Sequence, residues 1–528
     1  MANSFANPII PGFAPDPSII RVEDTYFLVN SSFQVFPGLP IYASKNLKAW
    51  THIGNAINRP SQLSLGHSVA MRGPIDDGSE LIGMTGLLAP TVRYHAGRWY
   101  IICTNLGVLE GPKINLQNFY LVTDNIWANA WSDPIYYDWK GIDPSLFFDD
   151  DGRAYITGHW TIGDRLKQPT GTIKQAEVEI ATGKLLTEPR EVWSGWAKHD
   201  TEGPHLYKKD GWYYVLAAEG GTFQHHMLSI ARSKDIWGPY EAHEQNPILT
   251  ADGKDEYIQN TGHGDIFQDT EGQWWAAVLA IRRGNRGRNT MGRETFLTPV
   301  EWSEGGWPEF SQPTMQMSRK STVLDLPDLD QAQAPVIGLV FLRDYCAESY
   351  TISSDCENIR LTASTSDFSS KAGTCTFVGK RQRHLDAMVS AKLTTIAGTG
   401  ERLDAGLAVF KDNHRHAEIF YSTSKKRMIL SWVKYRTNET VVHESTDIEV
   451  EDPEIEFKIE ATENSYTFFS QVQGKRWVKA GEVDTLDLTC QDFSGPLLGI
   501  FAFGEGKADF ERVRLDDGTS KGLDRGKL

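Results

Sequence analysis

The 528-residue chain lacks several features that would assign it to a class of protein at once. It contains no run of about 18 apolar residues, so the sequence predicts no membrane-spanning helix. Its net charge is −16 and no basic face stands out, which argues against a nucleic-acid partner. The amino end, MANSFANPIIPGF, has no basic segment followed by an apolar one. We therefore expect a cytoplasmic protein, or a secreted one if a signal peptide preceded this sequence.

Cysteine is scarce, and a long amphipathic helical pattern is missing from both halves of the chain. The five cysteines are an odd number and their spacings match no zinc-binding pattern, so we expect reduced thiols. Without helical periodicity, the chain is predicted to be all-β.

A short phrase recurs four times in the first 275 residues, and a fifth copy is looser. Each copy begins with a small residue or a proline and continues as a short apolar strand. A polar turn then leads into a second strand rich in Tyr and Trp. Two such strands form a hairpin, and repetition at roughly 55–75 residues predicts a five-bladed β-propeller. The copies are PDPSIIRVEDTYFLV (15–29), APTVRYHAGRWYII (89–102), DPSLFFDDDGRAYIT (143–157), GPHLYKKDGWYYVL (203–216) and GHGDIFQDTEGQWWAAV (262–278).

The pattern changes near residue 320. A Pro- and Asp-rich stretch without periodicity is followed by short segments of alternating apolar and polar residues, which are typical of an antiparallel β-sandwich. We predict a propeller over 1–321, a linker over 322–338, a β-sandwich over 339–516 and a polar tail over 517–528.

Three copies of the phrase open with a carboxylate: Asp16, Asp143 and, one residue ahead of its Gly-Pro, Glu202. If equivalent positions of the blades face one axis, these side chains converge there. Cleavage of a glycosidic bond needs a proton donor and a base or nucleophile, and carboxyl groups serve both roles. The alternative is that each is a turn or cap residue, which is the usual role of a lone Asp before Pro. We interpret Asp149–Asp151 in that way, as solvated residues at a hairpin tip.

The chain contains three motifs in this order: NPIIPGFAPDPSII (7–20), GIDPSLFFDDDG (141–152) and TEGPHLY (201–207). They resemble the motifs of glycoside hydrolase family 43, whose members are five-bladed propeller enzymes acting on xylan and arabinan side chains. The resemblance implies that Asp16 is the general base, that Asp143 tunes and orients the acid, and that Glu202 is the general acid. It also implies inversion of the anomeric centre, with Asp16 and Glu202 roughly 6.5–9.5 Å apart, and no required cofactor.

Residues 30–63 are similar to the segment that shapes the xylose pocket in the β-xylosidase branch of this family. By that likeness Phe33 lines the pocket, while Arg293 and Thr222 bind the sugar. The second half resembles the concanavalin-like sandwich of these xylosidases, and Phe493 is the expected aromatic that closes one end of the pocket. The residues alone leave two alternatives open: Arg293 forms an ion pair between blades instead of binding the sugar, and Phe493 packs in a core instead of closing the pocket.

Two further positions bear on the site. Leu88 stands where relatives commonly carry Trp, which leaves more room and puts the preferred sugar in doubt. His263 resembles the histidine near the propeller axis that helps to hold a metal in many relatives. Because calcium prefers oxygen ligands, we expect His263 to have a structural role. A calcium ion bound near it is left open.

The sequence thus predicts an inverting exo-glycosidase that removes terminal xylose from β-1,4-xylo-oligosaccharides. An α-L-arabinofuranosidase acting on arabinoxylan or arabinan is the alternative. A non-catalytic carbohydrate-binding propeller and a retaining fructan hydrolase are the other classes considered. The expected partner is a small oligosaccharide, and self-association into a homo-oligomer is left open.

Overall fold

A computed structural model describes residues 3–74, 80–109, 113–163, 167–319, 321–329, 335–371, 373–445 and 454–515. Within these ranges the helices are single 3-10 turns, and none has the length or apolarity to cross a bilayer. The 3-10 turns are Ile126–Ala128, Asn285–Gly287, Val323–Asp325, Pro335–Gly338, Ala347–Ser349 and Thr485–Leu488.

The chain divides into two compact units. The first contains the described residues up to Arg283 together with Gly292–Ile337 and Gln491–Phe493. The second contains Gly284–Met291, Gly338–Cys490 and the described residues from Ser494 onwards.

The first unit is a five-bladed β-propeller, which confirms the fold predicted from the repeats. Each blade is an antiparallel sheet whose first two strands form one of the predicted hairpins. The first strand of each blade contacts the first strand of the next blade. The first strand of blade 5 also contacts the first strand of blade 1, so the ring is closed. The strands are, in blade 1, Ser18–Val22, Thr25–Val29, Gly38–Ser44 and Thr51–Ile57; in blade 2, Gly86–His95, Arg98–Val108, Ile114–Thr123 and Ile135–Tyr137; in blade 3, Ser145–Phe148, Ala154–Thr161, Gly171–Glu179, Lys184–Leu185 and Arg190–Trp193; in blade 4, Glu202–Lys209, Trp212–Glu219, Met227–Ser233, Glu241–Ala242 and Leu249–Thr250; and in blade 5, Ile258–Gln268, Trp274–Arg282, Arg293–Trp302 and Pro308–Phe310.

One aromatic residue in the second strand of each hairpin packs into the propeller core. Tyr26, Tyr100, Tyr155, Tyr214 and Trp275 are all buried, in apolar clusters that combine residues of adjacent blades. Because an aromatic side chain buries about 150–250 Å², this repeated position accounts for much of the adhesion between blades. The Tyr- and Trp-rich halves of the repeats therefore build the core.

The first residues of the chain fasten along blade 5. Asn3–Ala6 pairs antiparallel with Gln316–Arg319. The Asn7 side chain donates to the Leu297 carbonyl and accepts from the Leu297 N–H, each at 2.9 Å. Asn7 thereby forms hydrogen bonds with both main-chain polar groups of a strand residue 290 positions away.

The first unit also contains the strand Val35–Phe36 and the hairpin of Ala70–Pro74 and Glu80–Met84.

The interpretation of Asp149 as a solvated turn residue is wrong. Asp149 is buried and accepts hydrogen bonds from Lys208 Nζ at 2.5 Å and from the Tyr213 hydroxyl at 2.7 Å. Both donors lie in blade 4, so this hairpin tip is packed against the neighbouring blade. Only Asp150 and Asp151 are exposed.

The second unit is a β-sandwich, as predicted. Two long strands, Ala387–Asp412 and Leu497–Arg514, pair with each other and pass from one layer into the other. Residues 404–412 pair with Arg415–Ser422, whereas residues 387–393 pair with Ile455–Ala461. The other strands are Val340–Leu342, Tyr350–Ile352, Ile359–Thr362, Cys375–Arg381, Arg427–Lys434, Glu439–Glu444, Ser465–Val472 and Val478–Asp484.

The predicted linker, 322–338, contains two of the 3-10 turns in its described part. The predicted tail, 517–528, lies outside the described residues.

Candidate active site

One backbone position is shared by all five blades and lies just before, or within, the first strand. Its residue has a left-handed conformation in every blade, with φ between 31° and 55°. Side chains avoid this region, so its recurrence points to a constraint from the ring. In four blades a proline follows, which disfavours a helical conformation for the residue before it. The five residues are Asp16, Ala89, Asp143, Gly203 and His263.

Three members of this set meet at one cavity. Asp16, Asp143 and His263 all line it, together with Glu202. His263 Nδ1 lies 3.9 Å from Asp143 Oδ2. A Cβ atom at Gly203 would lie 2.8 Å from the His263 ring, so a side chain at that position would collide with it. Convergence of carboxylates from three blades is thus a property of the structure.

Asp16 is held by a relay through one hydroxyl group. Ser31 Oγ accepts from the Ala89 N–H at 2.7 Å and donates to Asp16 Oδ2 at 2.6 Å. Since the N–H occupies a lone pair of the hydroxyl oxygen, the hydroxyl proton is directed at Asp16. Arg293 Nη1 lies 3.9 Å from the other carboxylate oxygen. Asp16 thus faces one hydroxyl donor and one cation.

Asp143 is buried and accepts from the Gly203 N–H at 3.2 Å. Burial and the negative charge of Asp16 raise the pKa of Asp143 to about 6, while His263 opposes the shift. Asp143 is therefore largely ionised at neutral pH.

Glu202 opens the first strand of blade 4, beside the Gly203 position that no side chain can occupy. Burial, Asp143 and Asp200 raise the pKa of Glu202 well above its usual range, and Arg293 only partly offsets this. The site thus combines Glu202, whose pKa is raised well above its usual range, with Asp143, whose pKa is raised to about 6. This separation of proton affinities is what a general acid and a general base require.

Arg293 is a buried cation that contacts the cavity from blade 5. Its Nη2 donates to the Thr222 carbonyl at 3.3 Å and also to the Thr222 hydroxyl. Its guanidinium carbon lies 3.8 Å from the centroid of the Phe493 ring, over the ring face. Burial lowers the pKa of Arg293 to about 10, so the side chain stays charged at neutral pH. Its nearest carboxylate oxygen, on Asp16, is 3.9 Å away, which leaves donor capacity for a ligand.

Two phenylalanine rings, Phe493 and Phe223, lie beside this guanidinium, and further phenylalanines pack behind Phe493. Phe493 lies edge-on to Phe33 at 6.1 Å and to Phe223 at 5.5 Å between ring centroids. Phe33 in turn stacks on Phe13 at 5.6 Å. Phe493 follows most of the second unit in sequence but belongs to the first unit in space.

The cavity has a volume of about 700 Å³, within the usual range for small-molecule sites. One set of lining residues is apolar and another can form several hydrogen bonds. This combination suits a sugar, which presents hydroxyl groups and apolar C–H faces. The apolar residues include Pro74, Leu81, Met84, Leu88 and Leu106, and the polar ones include Gln168, His199, Asp200, Gln224 and His225.

A second ionic network joins four blades through Asp265. Asp265 accepts from Arg93 Nη1 at 2.9 Å, Ser18 Oγ at 2.8 Å and the Tyr207 hydroxyl at 2.7 Å. Arg93 Nη2 also lies 3.0 Å from His205 Nδ1. The pKa of Asp265 is lowered to about 2, chiefly by Arg93, although burial opposes the shift. Burial lowers the pKa of His205 to about 3, so that ring is neutral and accepts the hydrogen bond.

The sequence leaves open whether a calcium ion binds near His263. Calcium takes 6–8 oxygen ligands, yet the described part of the chain contains no group of three His, Cys, Asp or Glu side chains placed to hold a metal. Asp265 is already occupied by Arg93, Ser18 and Tyr207. Metal binding by His263 stays a prediction, and no chemical step below depends on it.

We expect Asp265→Asn to destabilise the propeller by about 3–5 kcal/mol, because it leaves the Arg93 cation without its buried partner. The folded-state pKa of Asp265 lies below its unfolded value of 3.8. Its stabilisation is therefore complete above about pH 4 and is lost as pH falls towards 2. Melting temperatures of wild type and variant should differ most at pH 6 and approach each other near pH 3. Asp124→Asn, in an exposed pair with Arg98, is the control and should change little.

The model of glycosyl hydrolases family 43 matches residues 5–308. The matched range includes the ionisable residues described above: Asp16, Asp143, Glu202, His263 and Arg293. The chain belongs to glycosyl hydrolases family 43. A second model, the beta xylosidase C-terminal concanavalin A-like domain, matches residues 333–516.

Relatives within family 43 extend over nearly the whole chain. A non-reducing end alpha-L-arabinofuranosidase of Bacteroides ovatus is 32% identical and covers 97% of this chain and 94% of its own. A xylosidase/arabinosidase of Butyrivibrio fibrisolvens is 31% identical and covers 95% and 96%. The crystal structure of a xylan beta-1,4-xylosidase from Bacillus halodurans superposes with a TM-score of 0.84 at 28% identity, covering 96% and 98%.

All nine residues predicted for the site line this family 43 cavity: Asp16, Phe33, Leu88, Asp143, Glu202, Thr222, His263, Arg293 and Phe493. Ser31, which orients Asp16, was not predicted, and neither were the polar residues from loops between strands. Ser31 lies two residues after the blade-1 strand Thr25–Val29, and a search for hydroxyl groups near the predicted base could have found it. The loop residues carry no repeated signal.

Proposed function

We propose that the protein is an inverting exo-glycosidase that releases terminal D-xylose from short β-1,4-xylo-oligosaccharides. One observation carries the proposal: Glu202, whose pKa is raised well above its usual range, and Asp16 line the same sugar-sized cavity. Relatives named as xylosidases support the choice of sugar. Carboxyl groups and water suffice for this reaction, so it needs no cofactor.

In the proposed mechanism Asp16 is the general base. It removes a proton from a water molecule as that water attacks the anomeric carbon, and Glu202 protonates the departing glycosidic oxygen. Arg293 binds sugar hydroxyl groups through its free donors. Asp143 keeps Glu202 protonated by its negative charge, which disfavours a second charge nearby.

The mechanism is tested by the anomer that appears first. Proton NMR of wild-type enzyme acting on xylobiose should show α-D-xylose before mutarotation. Initial release of β-D-xylose would assign a retaining mechanism, in which the carboxyl groups lie about 5–5.5 Å apart, and would overturn the role given to Asp16.

The substrate is tested by comparing 4-nitrophenyl β-D-xylopyranoside with 4-nitrophenyl α-L-arabinofuranoside. A higher kcat/KM on the xyloside, together with turnover of xylobiose, is the expected result. Turnover of neither compound would favour a carbohydrate-binding propeller or a fructan hydrolase.

Asp143→Asn should lower kcat with little change in KM, because the amide can still accept from the Gly203 N–H but carries no charge. Loss of that charge lowers the pKa of Glu202. The alkaline limb of the kcat/KM profile should therefore move to lower pH. An unchanged rate and profile would remove Asp143 from the mechanism.

An α-L-arabinofuranosidase is the second candidate, and Leu88 is the observation that favours it. Leu88 lines the apolar part of the cavity, and the Bacteroides ovatus relative is named for this activity. A larger ring at this position would narrow the space for a furanose. Leu88→Trp should lower the ratio of arabinofuranoside to xyloside kcat/KM by about tenfold, which is 1.4 kcal/mol of differential binding. An unchanged ratio would show that Leu88 does not select the sugar.

A further inference from the structure

We propose that Glu219 is a positioning residue that holds the main chain of the general acid, Glu202, in place. The proposal deepens the proposed function and rests on the acid role of Glu202. Glu219 ends the second strand of blade 4 and does not line the cavity, so it does not touch the substrate.

The Glu219 carboxylate is fully buried and binds the loop that leads into Glu202. Its Oε2 accepts from the Trp196 N–H at 2.9 Å. Its Oε1 accepts from the N–H groups of Ala197 and Lys198, both at 3.0 Å. Three consecutive main-chain donors thus converge on one side chain. Hydrogen bonds to a charged acceptor are stronger than those between neutral groups.

This loop needs an anchor because its conformation is unfavourable by itself. Lys198 and Asp200 have φ values of 55° and 44°, in the left-handed region. Gly195 has a φ of 86°, and a Cβ atom there would lie 2.2 Å from Glu219 Oε1. Any side chain at position 195 would therefore collide with the Glu219 carboxylate, so this position requires glycine.

The loop passes this constraint to the acid through Thr201. The Thr201 hydroxyl donates to Glu219 Oε1 at 3.1 Å, and the Thr201 carbonyl lies 3.0 Å from His159 Nδ1. Thr201 directly precedes Glu202, and Glu202 pairs across the hairpin with Ala218, next to Glu219. The acid residue is consequently held by its own strand and by the preceding residue.

The Ser229 hydroxyl also donates to Glu219 Oε2, so five donors converge on the two oxygens. An ionised carboxylate offers about four lone-pair sites and no donor. Glutamine has the same shape, but its NH₂ group would face N–H donors. Glu219→Gln should therefore loosen the loop without opening a cavity.

The test exploits the leaving group. 4-Nitrophenolate departs without protonation, whereas the xylose unit of xylobiose needs a proton from Glu202. A misplaced acid should lower kcat on xylobiose by about tenfold or more and leave kcat on 4-nitrophenyl β-D-xylopyranoside nearly unchanged. A residue with only a structural role would lower both rates alike.

Asp269→Asn is the matched control. Asp269 is a buried carboxylate at the blade-5 hairpin tip that accepts from the N–H groups of Glu271 and Gln273, both at 2.9 Å. It also accepts from Trp275 Nε1 at 2.8 Å. Its replacement should lower the melting temperature without changing the ratio of the two rates.

Thr201→Val provides a second variant if Glu219→Gln does not fold. It removes only the hydroxyl group that joins Glu219 to the residue before the acid, and a smaller selective loss on xylobiose is expected. Equal losses on both substrates, in either variant, would overturn the proposal. The Glu202→Ala variant separates the acid role of Glu202 from the positioning role of Glu219. If only Glu202→Ala loses activity selectively on xylobiose, the acid role stands and the role of Glu219 is rejected. If Glu202→Ala shows no selectivity, the acid assignment fails, and the proposal for Glu219 fails with it.

Discussion

Replacing Glu202 with alanine should lower turnover of xylobiose by about 10²- to 10⁴-fold, the usual contribution of a general acid. Alanine cannot donate a proton, and the Gly203 N–H and the Asp16 site are left in place. Turnover of 4-nitrophenyl β-D-xylopyranoside should fall much less, because its leaving group is already a weak base. Steady-state kinetics on both substrates measures the difference.

The pH profile provides an independent check on Glu202. Wild-type activity on xylobiose should fall as pH rises through the raised pKa of Glu202, since the protonated form is the active one. This alkaline limb should be absent when the alanine variant acts on the nitrophenyl substrate. Glu188→Ala, an exposed glutamate of blade 3, is the control. Equal losses on both substrates would assign the acid to another residue.

Asp16→Asn should lower turnover of every substrate by about 10²- to 10⁴-fold, regardless of the leaving group. The amide oxygen can still accept from Ser31, so the side chain should stay in place. It cannot remove a proton from the attacking water, however, and that step is common to all substrates.

The contrast between Asp16→Asn and Glu202→Ala assigns the two roles. Kinetics on xylobiose and the nitrophenyl xyloside, with melting curves to verify folding, provides the measurement. Wild-type rates on the nitrophenyl substrate in Asp16→Asn would show that the base lies elsewhere.

The propeller could be predicted because its blades repeat one local pattern. Each hairpin combines an apolar strand with a strand that buries an aromatic residue, such as Tyr155 or Trp275, against the next blade. The carboxylates stood out for the same reason, since Asp16 and Asp143 occupy a repeated position and Glu202 lies one residue before it. Their convergence then follows from closure of the ring.

Features that depend on contacts between different repeats could not be predicted. Asp149 looks like a turn residue in its own hairpin and is buried only because Lys208 and Tyr213 of the next blade reach it. His199 and Asp200 reach the cavity from the loop between Arg190–Trp193 and Glu202–Lys209, which lies outside the repeated phrase. Glu219 resembles any strand residue until the donors around it are known.

The fastening of Asn3–Ala6 to Gln316–Arg319 has a consequence for the order of synthesis. A ribosome adds about 5–20 residues per second, so the amino end waits about 15–60 s for its partner strand. During that interval the Asn7 amide has no Leu297 main chain to bind, and the nascent blades expose an unfinished edge. The two-stranded sheet that fastens the amino end can therefore form only after all five blades have been made, and premature termination before residue 316 leaves the blades without this fastening.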